Sequence, residues 1–157
     1  MQGKTIGIRV DDMYQDHEFW YPCFRMREAG AEVRVISRQG RHASEHGVPA
    51  PERDVTPGDT GVADLDGLII PGGYAPDYTR RDPEILRLVR GMDGQEKLVA
   101  AICHAGWVLI SAGIAEGRVR PGPRAPGASR SAATVRRIGR GSPGPSAARR
   151  RPRGRPL

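Results

Sequence analysis

LVAAICHAGWVLISAGIAEG, residues 98–117, is the stretch on which the reading of this chain turns. Leu98 to Ile102 is a short, wholly apolar run, the pattern of a parallel strand buried on both faces. It passes without a linker into Cys103-His104-Ala105-Gly106 and an apolar helix predicted over Trp107 to Ala112. A strand that enters a helix directly forces the junction residue into a tight turn and pushes its side chain out above the sheet edge. Such an elbow needs small neighbours, and Ala101, Ala105 and Gly106 supply them. The unpaired N–H groups at the start of the following helix favour a thiolate and offer an oxyanion a place to bind. Cys103 is therefore a candidate nucleophile. The plainer alternative is a small buried apolar residue, since free cysteine is among the most buried residue types.

The alternation of strand and helix extends toward the N-terminus. Thr5 to Val10 predicts a first strand, stopped by two Asp. From Asp16 a helix is predicted, with Phe19, Cys23, Met26 and Arg27 at three- and four-residue spacing, Pro22 tolerated in a first turn and Gly30 as the stop. Glu32 to Ser37 alternates as a second strand. Residues 38–61 mix Gly, Pro, His and charge without a sustained period and predict a loop with a short hairpin around Gly47. Gly67 to Ile70 is another buried apolar run, ending in Pro71-Gly72-Gly73, and Asp82 to Met92 predicts a helix with Ile85, Leu86, Leu88 and Val89 on its apolar side. This order is that of an α/β protein with a flavodoxin-like, doubly wound parallel sheet. Ligands bind such sheets beyond the C-terminal strand ends, where both Gly72-Gly73 and Cys103 fall.

Charge divides the chain in two. The 157 residues carry a formal net charge of +7, with 25 Lys and Arg against 18 Asp and Glu, a balance that by itself points to a nucleic-acid partner. Yet residues 1–117 hold all 18 acidic residues and 13 basic ones, a net charge of −5, while residues 118–157 hold twelve Arg and no acid. MQGKTIGIRVDD does not resemble a signal peptide, no stretch reaches the length of a membrane span, and two cysteines do not make a disulfide framework; a reduced, cytoplasmic protein without a membrane partner is expected. His17, His42 and His46 lack the Cys or carboxylate spacing of a metal site, so no metal is expected, and Cys23 reads as core.

AAICHAGWVLISAGIAEGR resembles the elbow segment of the ThiJ/PfpI family, also called the intracellular protease I family, within the class I glutamine amidotransferase-like fold. LIIPGGYAPDYTRRDPEIL resembles that family's strand-PGG-helix segment, and DHEFWYPCFRMREAGAEVRVI its first helix and second strand, so the likeness runs across residues 4 to 118 in family-like order. The resemblance implies a cofactor-independent cysteine hydrolase or lyase, annotated in the family as peptidase or acting on reactive carbonyls as a glyoxalase or deglycase, with a small carbonyl compound or peptide as substrate. A non-enzymatic oxidative-stress sensor or chaperone is the alternative within the family. Residue by residue, Cys103 matches the nucleophile and Glu18 an acid held beside the thiol, where repulsion between carboxylate and thiolate implies a protonated carboxyl donating to sulfur. His104 matches the histidine that follows the cysteine. It stands too close in sequence to swing freely onto the neighbouring sulfur, and is completed by an acid at the position of Asp77 from an adjacent subunit of a homo-oligomer. Gly72 and Gly73 match glycines whose backbone lines the oxyanion site, and Gln15 stands where family members often carry a second acid. Plainer readings exist beside these: Glu18 as an acid favoured by a helix N-terminus, Asp77 as an ordinary loop residue, His104 as a cap.

The resemblance stops near Arg118. Residues 119–157 are dominated by Arg, Pro, Gly, Ala and Ser, carry no aromatic residue, and cannot bury enough apolar surface to offset chain entropy, so disorder is expected there. Residues 1–118 thus form an incomplete ThiJ/PfpI-like domain, followed by a tail whose composition is that of a GC-rich gene read in a shifted frame. An arginine-rich tail that neutralises nucleic-acid phosphates is the alternative. Without the family's closing helix, Val99, Val108 and Leu109 are expected to remain partly exposed.

Overall fold

The computed structural model describes residues 1–115. Alternating apolar residues build β1 Thr5–Arg9 and β2 Glu32–Ile36, and continuous apolar runs build β3 Gly67–Ile70 and β4 Leu98–Ala101. They form one parallel sheet in the order β2-β1-β3-β4, the flavodoxin-like arrangement in which the chain reverses its winding between β1 and β3. Ile6 and Ile8 pair with Val33 and Val35 on one side, and Ile69 stands opposite Ile8 on the other.

Successive side chains leave the sheet on opposite faces, so an apolar run is needed wherever both faces are covered. One face carries Ile6, Ile8, Val33, Val35, Ile69 and Ala100 under helix α1, Asp16–Glu28, which inserts Phe19 and Cys23. The other face carries Leu68, Ile70, Val99 and Ala101 under α3, Pro83–Gly94, which contributes Ile85, Leu88, Val89 and Met92. Between β3 and α3 lies a short helix, α2, Ala75–Thr79, and beyond β4 a 3-10 turn, Cys103–Ala105, leads into α4, Gly106–Ser111.

Several expectations change. Pro22 sits in mid-helix rather than in a first turn, so α1 lacks one i→i−4 bond, the one that would end on the Glu18 carbonyl. Val99 and Val108 are fully buried in the core that β3, β4, α3 and α4 share; Leu109 is half-buried, and along the segment from β4 through α4 the exposed apolar side chains are Ile102, Trp107 and Ile110. The hairpin near Gly47 is present, closed by Ser44 N–H on the Val48 carbonyl at 2.9 Å, and it is docked on the β1–α1 connection through a bridge from Ser44 to Tyr14. The tail over 119–157 and its expected disorder lie outside the described residues. Among the described residues no helix is long and apolar enough to cross a membrane, and no group of three or more His, Cys, Asp or Glu side chains is arranged to hold a metal ion.

Candidate active site

At the end of β4 the chain leaves Ile102 extended and then places Cys103 at φ 58°, in the left-handed region. For a side chain with a Cβ this conformation costs roughly 1–2 kcal/mol, and it persists because Ala105, completely buried, anchors the turn through its N–H on the Ile102 carbonyl at 3.0 Å. The thiol is half-buried at the sheet's C-terminal edge. Cys23 differs in every respect: it is fully buried under α1, and burial pushes its thiol above the ordinary range.

Gly72 explains how the other groups come close. A Cβ on it would stand 2.5 Å from Cys103 Cβ, 2.6 Å from Glu18 Oε2 and 3.0 Å from the Ile102 carbonyl. The missing side chain is therefore the space in which Glu18 and Cys103 face each other. Glu18 is half-buried in the first turn of α1, where Gln15 caps the helix by accepting the Glu18 N–H at 3.2 Å. Its Oε2 accepts the Gly72 N–H at 2.8 Å, and Gln15 N–H donates to the Gly72 carbonyl at 3.2 Å, so helix start and glycine turn are tied together in both directions.

Gly73 takes φ 81°, and a Cβ there would meet the Met13 carbonyl at 2.5 Å. Its carbonyl faces His104 Nδ1 at 3.3 Å, and the same nitrogen lies 3.7 Å from Cys103 Sγ. The left-handed residue followed at once by a 3-10 turn leaves the His104 ring beside the sulfur of its neighbour. A carbonyl oxygen only accepts, so Nδ1 carries a proton and presents it to both Gly73 and the sulfur. The ring is steadied against Trp107, with centroids 4.9 Å apart.

Asp77 lies on α2 and is exposed, paired with Arg81 at 2.8 Å. Within this chain its carboxylate partner is that arginine. Arg80 bridges α2 to α4, lying 5.9 Å from the Trp107 ring centroid and donating to Ser111 Oγ at 3.2 Å. Of the histidines outside the site, His42 is buried between Ser37 and Asp12, and His46 is exposed and pairs with Asp16 at 2.5 Å. Two residues near the elbow have roles that the sequence does not show. Gln15 serves as the cap of α1, and Glu45 Oε1 comes within 2.9 Å of the point a Gly73 Cβ would occupy. The predicted hairpin was the only hint of Glu45.

A doubly wound parallel sheet with a cysteine on a left-handed strand-to-helix turn defines the elbow class of α/β proteins. The chain belongs to the DJ-1/PfpI family, whose profile matches residues 4–122. It is 34% identical over 117 residues to protein/nucleic acid deglycase 2 of Escherichia coli, covering 73% of this chain and 68% of that protein. To a deglycase of Pyrococcus horikoshii it is 36% identical over 116 residues, 73% of this chain and 69% of the relative. Among solved structures, a two-domain protein from Anabaena variabilis with DJ-1/ThiJ/PfpI-like and ferritin-like domains superposes with a TM-score of 0.71 at 34% identity, over 74% of this chain and 34% of that one. DJ-1 of Toxoplasma gondii, at 24% identity and a TM-score of 0.65, shares the fold over 73% of this chain and 64% of its own. The likeness thus spans about two thirds of the length of the curated relatives.

Proposed function

We propose that this chain removes reactive-carbonyl adducts, such as those of methylglyoxal, from amines and thiols, with Cys103 as nucleophile. The observation that carries the reading is the strained elbow at Cys103 with Glu18 and His104 gathered on it, in a chain whose relatives include proteins named deglycases. Adducts on protein side chains and on nucleic-acid bases both fall within it, as in the name of the Escherichia coli relative.

In this chemistry the Cys103 thiolate forms a C–S bond to the adduct's carbonyl carbon while the C=O π pair becomes an alkoxide. The Gly73 N–H, which makes no hydrogen bond of its own among the described residues, donates to that oxygen. His104 Nδ1–H steadies the thiolate, and Glu18 passes the proton that the departing amine takes up when its C–N bond breaks. Water contributes the remaining oxygen and hydrogens, and the C–S bond breaks to restore the thiolate. The three-carbon fragment leaves as a hydroxy acid: one of its carbons is oxidised as its neighbour is reduced, so the atoms and electrons balance with water alone. Assembly belongs to the same reading, with Asp77 of one copy completing His104 of another, as the family resemblance implies.

The test is release of free amine and hydroxy acid from a methylglyoxal adduct of Nα-acetylargininamide. Turnover by the full chain that falls roughly a thousandfold or more in Cys103→Ser is expected. Equal turnover by the two proteins would remove Cys103 from the chemistry.

A further inference from the structure

We infer that Glu45 makes this site discriminate by charge, so that cationic and neutral adducts are processed in preference to phosphate-bearing ones. The inference rests on the adduct-removing reading above and names the substrate class within it. Glu45 lies on the hairpin between Ser44 and Val48, and its backbone is fixed from several directions. Its N–H donates to the Tyr14 carbonyl at 3.0 Å, while Ser44 Oγ accepts the N–H groups of His46 at 3.1 Å and Val48 at 3.0 Å. The half-buried carboxylate that results reaches over Gly73, with Oε1 2.9 Å from the position of an added Cβ. Gly73 is the residue whose carbonyl faces His104 Nδ1, the nitrogen 3.7 Å from Cys103 Sγ. Glu45 therefore stands one residue away from the group that steadies the reacting sulfur.

Glu45 and His46 feel each other's charge, but the His46 imidazole is hydrogen-bonded to Asp16. Among the described residues no ion pair involves Glu45, and Arg80, the guanidinium nearest in fold to the His104–Trp107 stack, is taken up by Trp107 and Ser111. A substrate entering beside the Glu45 carboxylate brings its charge into a partly desolvated space, where Coulomb interactions are several times stronger than in water. A guanidinium or ammonium is drawn in, and a phosphate is repelled.

Methylglyoxal adducts of deoxyguanosine and of its 5′-monophosphate isolate the effect, because they present the same base and differ only in the phosphate. With the full chain, kcat/KM for the nucleoside adduct is expected to exceed that for the nucleotide adduct by roughly tenfold. In Glu45→Gln the ratio should fall to within about twofold, and in Glu45→Lys it should invert. The thermal unfolding midpoint of both variants should stay near that of the unsubstituted chain, which reports an intact fold. The same nucleoside-to-nucleotide ratio in all three proteins, with turnover still lost in Cys103→Ser, would overturn the inference and leave the functional reading standing. Absence of turnover on every adduct by the unsubstituted chain would overturn both.

Discussion

The contrast between the two cysteines is a contrast of environments. Cys23 is sealed under α1 and its thiol is held protonated by burial, whereas Cys103 is half-buried on an open edge. Iodoacetamide applied to the folded chain near neutral pH should therefore modify Cys103 first, by peptide mapping, and faster labelling of Cys23 would contradict the elbow. A second prediction concerns the pair His46 and Asp16, which holds the hairpin against α1. The hydrogen bond and charge of Asp16 raise His46 above its ordinary 6.5, and hydrogen bonds from Ser44 and His46 lower Asp16 below its ordinary 3.8. A raised histidine contributes fully below its unfolded value and loses that contribution as pH rises through the folded one; a lowered carboxylate contributes above its unfolded value and loses it as pH falls through the folded one. The hairpin is thus best held between these limits. An NMR titration should place His46 above 6.5 and return it toward that value in Asp16→Asn, and an unchanged midpoint would count against the pairing.

Among the elements, the β3–α2 turn and the end of β1 are the least tolerant of change. Gly72→Ala would drive a methyl into Cys103 Cβ and Glu18 Oε2, so it should destabilise the fold by about 1–3 kcal/mol in urea unfolding and depress turnover, and wild-type behaviour on both counts would mean the close approach is wrong. At the end of β1, Arg9 is buried with Asp11 at 2.6 Å, and its guanidinium donates to the Ile36 carbonyl at 3.1 Å. Buried Asp82 also lies 3.9 Å from that guanidinium, so Arg9→Met, which leaves Asp82 only the exposed Arg38, should cost about 3–5 kcal/mol, and Asp11→Ala less, because Arg9 keeps Asp82. The reverse order in chemical denaturation would show that Asp11, and not Asp82, holds the guanidinium. The elements themselves were legible where a pattern is local. Thr5–Arg9, Glu32–Ile36, Gly67–Ile70 and Leu98–Ala101 are two-residue-period or wholly apolar runs, and α3 shows its stripe at Ile85, Leu88 and Val89. Helix α2 was not legible, because five residues with a proline near the start give no period to read.

At the scale of the molecule, the site is where the sequence pattern and the tertiary structure part company. The elbow could be read because a strand meets a helix within four residues of sequence, and Glu18 entered through the family resemblance. Gln15 could be read only as standing where family members often carry a second acid, and Glu45 not at all, because their positions depend on non-local bonds: Gln15 N–H to Gly72, Glu45 N–H to Tyr14 and Met13 N–H to Ala43. The burial of Val99 and Val108 differs from the sequence expectation, since it follows from how α3 and α4 pack together on that face of the sheet. Assembly is a proposal at this same scale. Tyr74, Tyr78, Trp107 and Ile110 are exposed on α2 and α4 and around the turn between β3 and α2. Ile110→Glu should lower the sedimenting mass of the full chain and its turnover together if copies pack there, whereas an unchanged mass would place the contact elsewhere. The central claim, that Cys103 attacks the carbonyl carbon of an adduct, is tested most directly by acid-quenching the full chain during turnover of a methylglyoxal adduct and mapping the mass of its peptides. The account predicts a mass increase of one methylglyoxal-derived unit on the peptide containing Cys103 and none in Cys103→Ser; turnover that proceeds with Cys103 unmodified, or with the adduct on another side chain, would contradict it.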